Sequence, residues 1–370
     1  MNLPTFTITN LILDYIIRIE LSANKIKGLP LPYNVKNDIY QLQKTDDIYF
    51  LGELTGYKIG LNKALLIQKG KELPSDKTKL KLFINYRSIN EFVKTYNQMQ
   101  FIKPSADLLI HINRLAMSGI VDEWETGKFR TFSEKPNDIY DNWYKYRDYY
   151  PQLDVSSFLN DLCDWTVDPK IKIHKLIRLA ILNYEMIDKS PFFVGNQVTT
   201  VIFTGLLLKE FGYNIDNLQV ISKIYNNLGE NLLEAFKISK SKKDQTAFIE
   251  ALLYSILLET ISLETNISSN YESKVKNHAQ LSLDLNNRQI KAIEYLNIHK
   301  KISRQEYSKL MGISFMTAFR DLQDLLEKGY LSTKGSGRGT IYLYLDKSED
   351  IINNESKKDI PVFVDDTLRQ

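Results

Sequence analysis

Residues 188–200 read "DKSPFFVGNQVTT". They stand between two runs whose apolar residues recur at helical spacing, and they contain the pair Gly195-Asn196. The stretch therefore reads as a tight loop joining two helices. It is shaped like a turn that holds a ligand, yet almost none of its side chains can do chemistry. Outward from it, the apolar period predicts helices over Val155 to Thr166, Ile171 to Ile187 and Val198 to Phe211, with helical patterning on to Leu263.

Towards the N-terminus, Ile8, Leu11, Ile12, Tyr15, Ile16 and Ile19 predict a helix capped by Thr7 or Thr9. It ends at "KGLPLP", where Gly28, Pro30 and Pro32 break it. A second helix is expected over Asp46 to Lys69, then a polar loop "KGKELPSDKTK", then helical pattern from Asn85 to Val121. "VDEWETGKFRTF", with Gly127 between a charged stretch and "KFRTF", suggests a β-hairpin or an extended flap. The stretch "DIYDNWYKYRDYYP" is dense in aromatic residues, from Tyr140 to Tyr150. Such rings dock a partner or, more commonly, cover a core.

The C-terminal part is more sharply punctuated. "ETNISSNYESKVKNHAQ" is polar and reads as a linker. "NNRQIKAIEYLNIH" is an amphipathic helix. "SRQEYSKLMG" is a short helix with a capping box, Ser303 to Glu306, and a stop at Gly312. "SFMTAFRDLQDLLEKG" is a third, capped by Ser314 and ended by Gly329. "YLSTKGSGRGTIYLYL" is two strands around a Gly-rich turn. This is the element order of a winged helix.

Composition narrows the function classes. The chain has 370 residues, 43% hydrophobic, with a net charge of +3, so no global field demands a nucleic acid or a membrane. Its one cysteine, Cys163, excludes an intrachain disulfide and a cysteine zinc cluster, and reads as a small buried hydrophobe. His111, His174, His278 and His299 are scattered without metal-ligand spacing, so no metal site is expected. The N-terminus lacks a basic region and a cleavage site, and no run reaches the ~18 charge-free apolar residues of a membrane span. A soluble cytoplasmic protein is expected. The abundance of Lys, Asn and Ile looks like an AT-rich bacterial coding bias.

The segment "HKLIRLAILNYEMIDKSPFFVGNQVTTVIFTGLLLKEFGY" resembles the core of Fic-domain proteins, whose signature is H-P-F-x-[DE]-G-N-G-R-x-x-R between two helices. "GKFRTF" resembles the hairpin before that family's target-docking flap. "ELSANKIKG" resembles its N-terminal inhibitory motif, and a winged helix is a frequent C-terminal partner. The resemblance spans roughly Leu11 to Leu345. It implies transfer of AMP from ATP to a protein hydroxyl. In that chemistry a histidine is the general base, an acid holds Mg²⁺, the Gly-Asn-Gly turn nests an anion and arginines clamp phosphate.

Laid on that pattern, Pro191, Phe192, Gly195 and Asn196 match. Ser190 takes the histidine's place, Val194 the acid's, Gln197 the second glycine's, and Val198 and Val201 the arginines'. Removing a general base typically costs ~10²–10⁴ in rate. Pro191, Phe192, Gly195, Asn196 and Gln197 thus read as a vestigial nucleotide site. Glu185, Asp188 and Lys189 are neighbours from which a relocated base would have to come. Aligning "ANKIKG" on the inhibitory motif puts Ala23 at its Ser/Thr position and Lys27 at its glutamate. Lys27 then reads as a solvated helix end, or as a replacement charge for the phosphate pocket.

From Asn286 to Leu345 ten basic residues stand against five acidic ones, a net +5 that suits DNA. Thr317, Arg320, Lys334 and Arg338 are the candidate DNA contacts, although Arg320 also has Asp324 at i+4. Phe315, Met316 and Phe319 on the same face look more like a protein contact.

The expected fold is mainly α: an N-terminal helical region (1–84), a Fic-type core with a short β-hairpin flap (85–265), a linker (266–285), a winged helix-turn-helix domain (286–345) and a mobile tail (346–370). The expected function is a catalytically impaired Fic-fold protein acting as a DNA-associated regulator or interaction module. No cofactor is expected. The alternative is an adenylyltransferase with unorthodox groups, using ATP and Mg²⁺.

Overall fold

The N-terminal apolar period winds into α1 (Asn10–Gly28), capped by Thr9, whose hydroxyl accepts the Ile12 N–H. This computed structural model describes residues 4–29, 31, 33–71, 80–96, 104–130, 154–335 and 340–345. The aromatic run Tyr140 to Tyr150, the wing residue Arg338 and the tail 346–370 lie outside them.

The single helix expected over 46–69 is two: α2 (Tyr33–Thr55) and α3 (Leu61–Gln68). The break falls at Gly56, whose φ of 75° is a left-handed turn that ends a helix. The pattern from Asn85 likewise divides into α4 (Lys81–Tyr96) and α5 (Ala106–Met117), the second restarted by the Ser105 cap. The expected hairpin is absent from the described part of its segment. Glu123–Glu125 is one 3-10 turn, Gly127 turns the chain at φ 66°, and Phe129 makes a single antiparallel bridge to Phe192.

Next come α6 (Val155–Val167), α7 (Lys175–Lys189) and α8 (Asn196–Glu210). α7 starts four residues later than the apolar period suggests. His174 is its N-cap, Nδ1 accepting the Leu176 N–H, and Arg178 reaches back to the Asp168 carbonyl at 2.7 Å. α9 (Ile221–Asn226), α10 (Glu230–Lys242) and α11 (Thr246–Asp284) complete the series. The segment expected as an irregular linker is instead helical, the C-terminal half of α11.

Residues Met1–Tyr271 form one compact unit and Glu272–Gln370 a second. In the first, α8 is central. Every residue from Asn196 to Leu208 is buried, with α5, α7 and α9 packed around it. Thr246–Ser269 is long and apolar enough to cross a membrane, but it carries Glu250, Glu259 and Glu264 and is 56% buried, as a core helix is.

The second unit has its own core, in which Leu296, Ile302, Tyr307, Ala318, Leu322 and Leu325 are all fully buried. Its elements are α12 (Asn287–His299), β1 (Lys301–Ser303), α13 (Arg304–Met311), α14 (Phe315–Glu327), β2 (Leu331–Lys334) and β3 (Ile341–Tyr344). The sheet is antiparallel in the order β1-β3-β2, so one strand joins the two expected. The first strand is short and precedes a capped helix, which hides its alternation in the sequence.

Candidate functional site

The loop between α7 and α8 is held at both ends by left-handed residues. Ser190 closes α7 at φ 40° and Gly195 opens α8 at φ 75°. A Cβ on Gly195 would lie 2.7 Å from the Met117 sulfur, so the close approach of α5 requires glycine there. Asn196 folds its amide back on the loop, accepting the Phe192 N–H at 2.8 Å and donating to the Phe192 carbonyl at 2.9 Å. Pro191 accepts the Arg130 N–H, and the Phe193 N–H meets the Lys128 carbonyl, so the Gly127 segment lies along the loop.

Two residues not singled out in the sequence complete this frame. Asn113 of α5 is fully buried. It donates to the Val194 carbonyl at 2.8 Å and to Thr199 Oγ1 at 2.9 Å, and accepts the Gly127 N–H at 2.8 Å. Its signal was a polar residue on the buried side of α5, next to Ile112 and one turn from Leu109 and Ala116. Arg130 donates from Nε to the Ser190 carbonyl at 2.9 Å and from Nη2 to the Lys189 carbonyl at 2.6 Å, placing a cation on the C-terminus of α7.

The groups at the signature positions face inward. Ser190 is 1% exposed, and Val194, Val198 and Val201 are wholly buried. The Ser190 hydroxyl donates to the Ile187 carbonyl at 3.0 Å. Gln197 is also buried. Asp188, two residues before Ser190, is ion-paired with Lys189 at 2.5 Å and with Lys240 of α10 at 2.9 Å. Glu185 accepts from Gln245 at 2.8 Å and lies 3.8 Å from the Lys189 ammonium; burial raises its carboxyl above the ordinary range, with Lys189 and the Gln245 bond pulling the other way. Among the described residues no cluster of three His, Cys, Asp or Glu has metal-site geometry.

Lys27 is not brought to this loop. It is exposed, and its Nζ lies 3.5 Å from where a Gly212 Cβ would be, just past the C-terminal end of α8. The loop is at the other end of that helix, about 20 Å away at 1.5 Å per residue. α1 is bound there by other ties, from Glu20 to Tyr213 and from Ser22 and Lys25 to Glu264. The helix bearing "ELSANKIKG" therefore neither gates the loop nor lends it charge.

In the second unit, α14 turns Ala318, Leu322 and Leu325 into the core. Its other side shows Phe315 and Met316, 51% and 63% exposed, with Arg320. Phe319 is half-buried under the Arg304 guanidinium, 4.3 Å from its ring. The expected option of an Arg320–Asp324 pair is not realised: Asp324 accepts from Lys328 and Gln289, both at 2.7 Å. Thr317 is held by the Ser314 cap, and Lys334 is exposed at the end of β2. Asp321 anchors the helix through Arg288, Tyr307 and Asn286. Burial alone would raise its carboxyl, but those donors outweigh it and hold the group below the usual carboxylate range.

Both units resemble known proteins. Residues 288–340 match the DeoR-like helix-turn-helix domain. A Fic family protein from Desulfovibrio desulfuricans G20 matches with a TM-score of 0.60 at 16% identity, over 93% of this chain and 98% of that one. A Fic domain containing signaling protein from Bacteroides thetaiotaomicron VPI-5482 matches with a TM-score of 0.48 at 17% identity, over 70% of this chain and 95% of that one. No curated protein matches the sequence. At such identities the likeness is one of fold.

Proposed function

We propose, for a chain with the Fic fold and a C-terminal DeoR-like helix-turn-helix domain, that it is a DNA-associated regulator whose Fic site does not transfer AMP. One observation carries the second half. Ser190, Val194, Val198 and Val201 occupy the positions where the resemblance requires a base, a metal ligand and two phosphate clamps, and all four are inside the core. A triphosphate site needs charged groups facing a cavity, because its rate depends on stabilising developing charge. Three valines offer none, and the Ser190 hydroxyl is already donating to Ile187. The residues do not fit ATP and Mg²⁺, so neither is assigned as a cofactor. On this reading the protein acts in the cytoplasm, without a membrane.

The helix-turn-helix match and the net +5 of residues 286–345 support the DNA half. Titration with ATP and Mg²⁺ tests the claim about the Fic site. A true ligand at a hundredfold over Kd stabilises by ~2.7 kcal/mol, a shift that a melting curve resolves. No shift is expected, and no radiolabelled AMP should enter the chain or a lysate protein.

A second reading, an active transferase with relocated groups, has one observation in its favour: the buried carboxylate of Asp188 is close to Ser190 in the chain. Its two lysine partners already claim that carboxylate. AMP incorporation that disappears in Asp188→Asn would establish this reading in place of ours.

A further inference from the structure

We propose that the helix-turn-helix unit recognises thymine, with Phe315 and Met316 reading the C5-methyl groups of T-rich duplex DNA in the major groove. The inference rests on the DNA reading above and names the determinant of its specificity.

Exposure is the starting point. Phe315 and Met316 occupy the first turn of α14 and are 51% and 63% exposed, while the opposite side of the helix is fully buried. Large apolar side chains kept in water at the business end of a helix mark a recognition surface. In a helix-turn-helix the N-terminal residues of the second helix are those that meet base edges.

The polar groups of this turn and of the helix beyond it are largely engaged. Ser314 Oγ accepts the Thr317 N–H at 3.1 Å and lies 2.9 Å from Thr317 Oγ1. Asp321 is held by Arg288 and Tyr307, and Asp324 by Lys328 and Gln289. Of the long polar side chains in the first two turns only Arg320 is exposed. A hydrogen-bonded base code has little to work with here.

The rings are also preset. The Arg304 guanidinium carbon lies 5.3 Å from the Phe315 ring and 4.3 Å from the Phe319 ring, which orients both from α13 and puts a cation beside them.

Base chemistry selects the ligand. In the major groove thymine presents a methyl group beside its O4 acceptor, whereas cytosine presents an amino donor. A phenyl ring and a thioether gain from burying a methyl. Against cytosine or guanine they would desolvate hydrogen-bonding groups without replacing their partners, so G·C pairs are rejected. Arg320 and Lys334, exposed on the same unit, supply phosphate contacts that position the helix.

Uracil is thymine without its methyl group, which makes the test chemically clean. The full chain is used to select binders from a random duplex pool of about 30 bp at low salt, and the winners are remade with deoxyuridine for thymidine. Thymines should recur at fixed positions, and each lost methyl contact should weaken binding by roughly 4-fold, the value of one buried methyl-sized group. The double variant Phe315→Ala/Met316→Ala should bind both forms alike and keep its salt-sensitive affinity. Both residues are exposed, and an unchanged melting temperature verifies the fold. If the wild-type chain holds both forms equally, thymine readout is overturned and DNA binding stands. If no DNA is retained at low salt, the DNA reading falls as well, and the apolar face belongs to a protein partner.

Discussion

Gly195 and Asn113 carry the loop, and neither has a reactive group. At Gly195 an added Cβ meets Met117 at 2.7 Å, and φ is 75°. Gly195→Ala should destabilise by about 1–3 kcal/mol, combining backbone strain with overpacking. In a Met117→Ala background, which carries its own cavity cost, the same Gly195→Ala change should cost less by the packing part and leave the strain, read from the denaturation midpoints of a double-mutant cycle. Asn113→Ala leaves the buried Val194 carbonyl and the part-buried Gly127 N–H without that partner, and about 1–3 kcal/mol should be lost. Asn113→Asp should be no better, since a carboxylate cannot donate to the Val194 carbonyl. Such ties hold the loop in one shape around the buried Val194, Val198 and Val201.

At the level of the helix, α11 contains a pH-sensitive group. Glu259 is 1% exposed; burial raises its carboxyl to about 7, with Lys223 at 3.4 Å and the Val220 N–H offsetting part of the rise. The folded state therefore binds this proton more tightly than the unfolded chain. Its contribution is full below the unfolded value near 4.5 and is lost as pH rises through 7. Roughly 3 kcal/mol is at stake at most, from ~1.4 kcal/mol per pH unit. Melting temperature should decline between pH 5 and 8, and Glu259→Gln should flatten that decline. Asp321 of α14 has the opposite sign. Its depressed carboxyl stabilises the unit above the ordinary range and stops doing so in acid, so Arg288→Ala should shrink the acid-side loss in the second unit.

The whole molecule has two compact units with separate cores. Calorimetry should resolve two transitions rather than one. Leu322→Ala, at a fully buried position of the smaller core, should cost that unit about 2–5 kcal/mol and leave the other transition in place. Binding to DNA belongs at this scale too. Arg320→Ala and Lys334→Ala should each reduce the slope of log affinity against log salt by about 0.9, the signature of one lost phosphate contact. An unchanged slope in both would move the phosphate contacts to other basic residues.

Local patterns carried the fold class, the helix-turn-helix and the loop, because each depends on residues close in sequence. The apolar period builds α1, α6, α7 and α14. The Ser303 capping box starts α13, and Gly195-Asn196 marks a turn wherever it occurs. Elsewhere local pattern misled. Continuous apolar spacing concealed the breaks at Gly56 and between α4 and α5, and polar composition disguised the helical 266–284 as a linker. Only the tertiary structure placed Lys27 at the far end of α8, engaged Asp188 with Lys240, and made Asn113 the tie among α5, α8 and the loop. Helix formation is decided by neighbours within a turn or two. Which charge meets which, and which polar group is buried, is decided by packing between segments far apart in the chain.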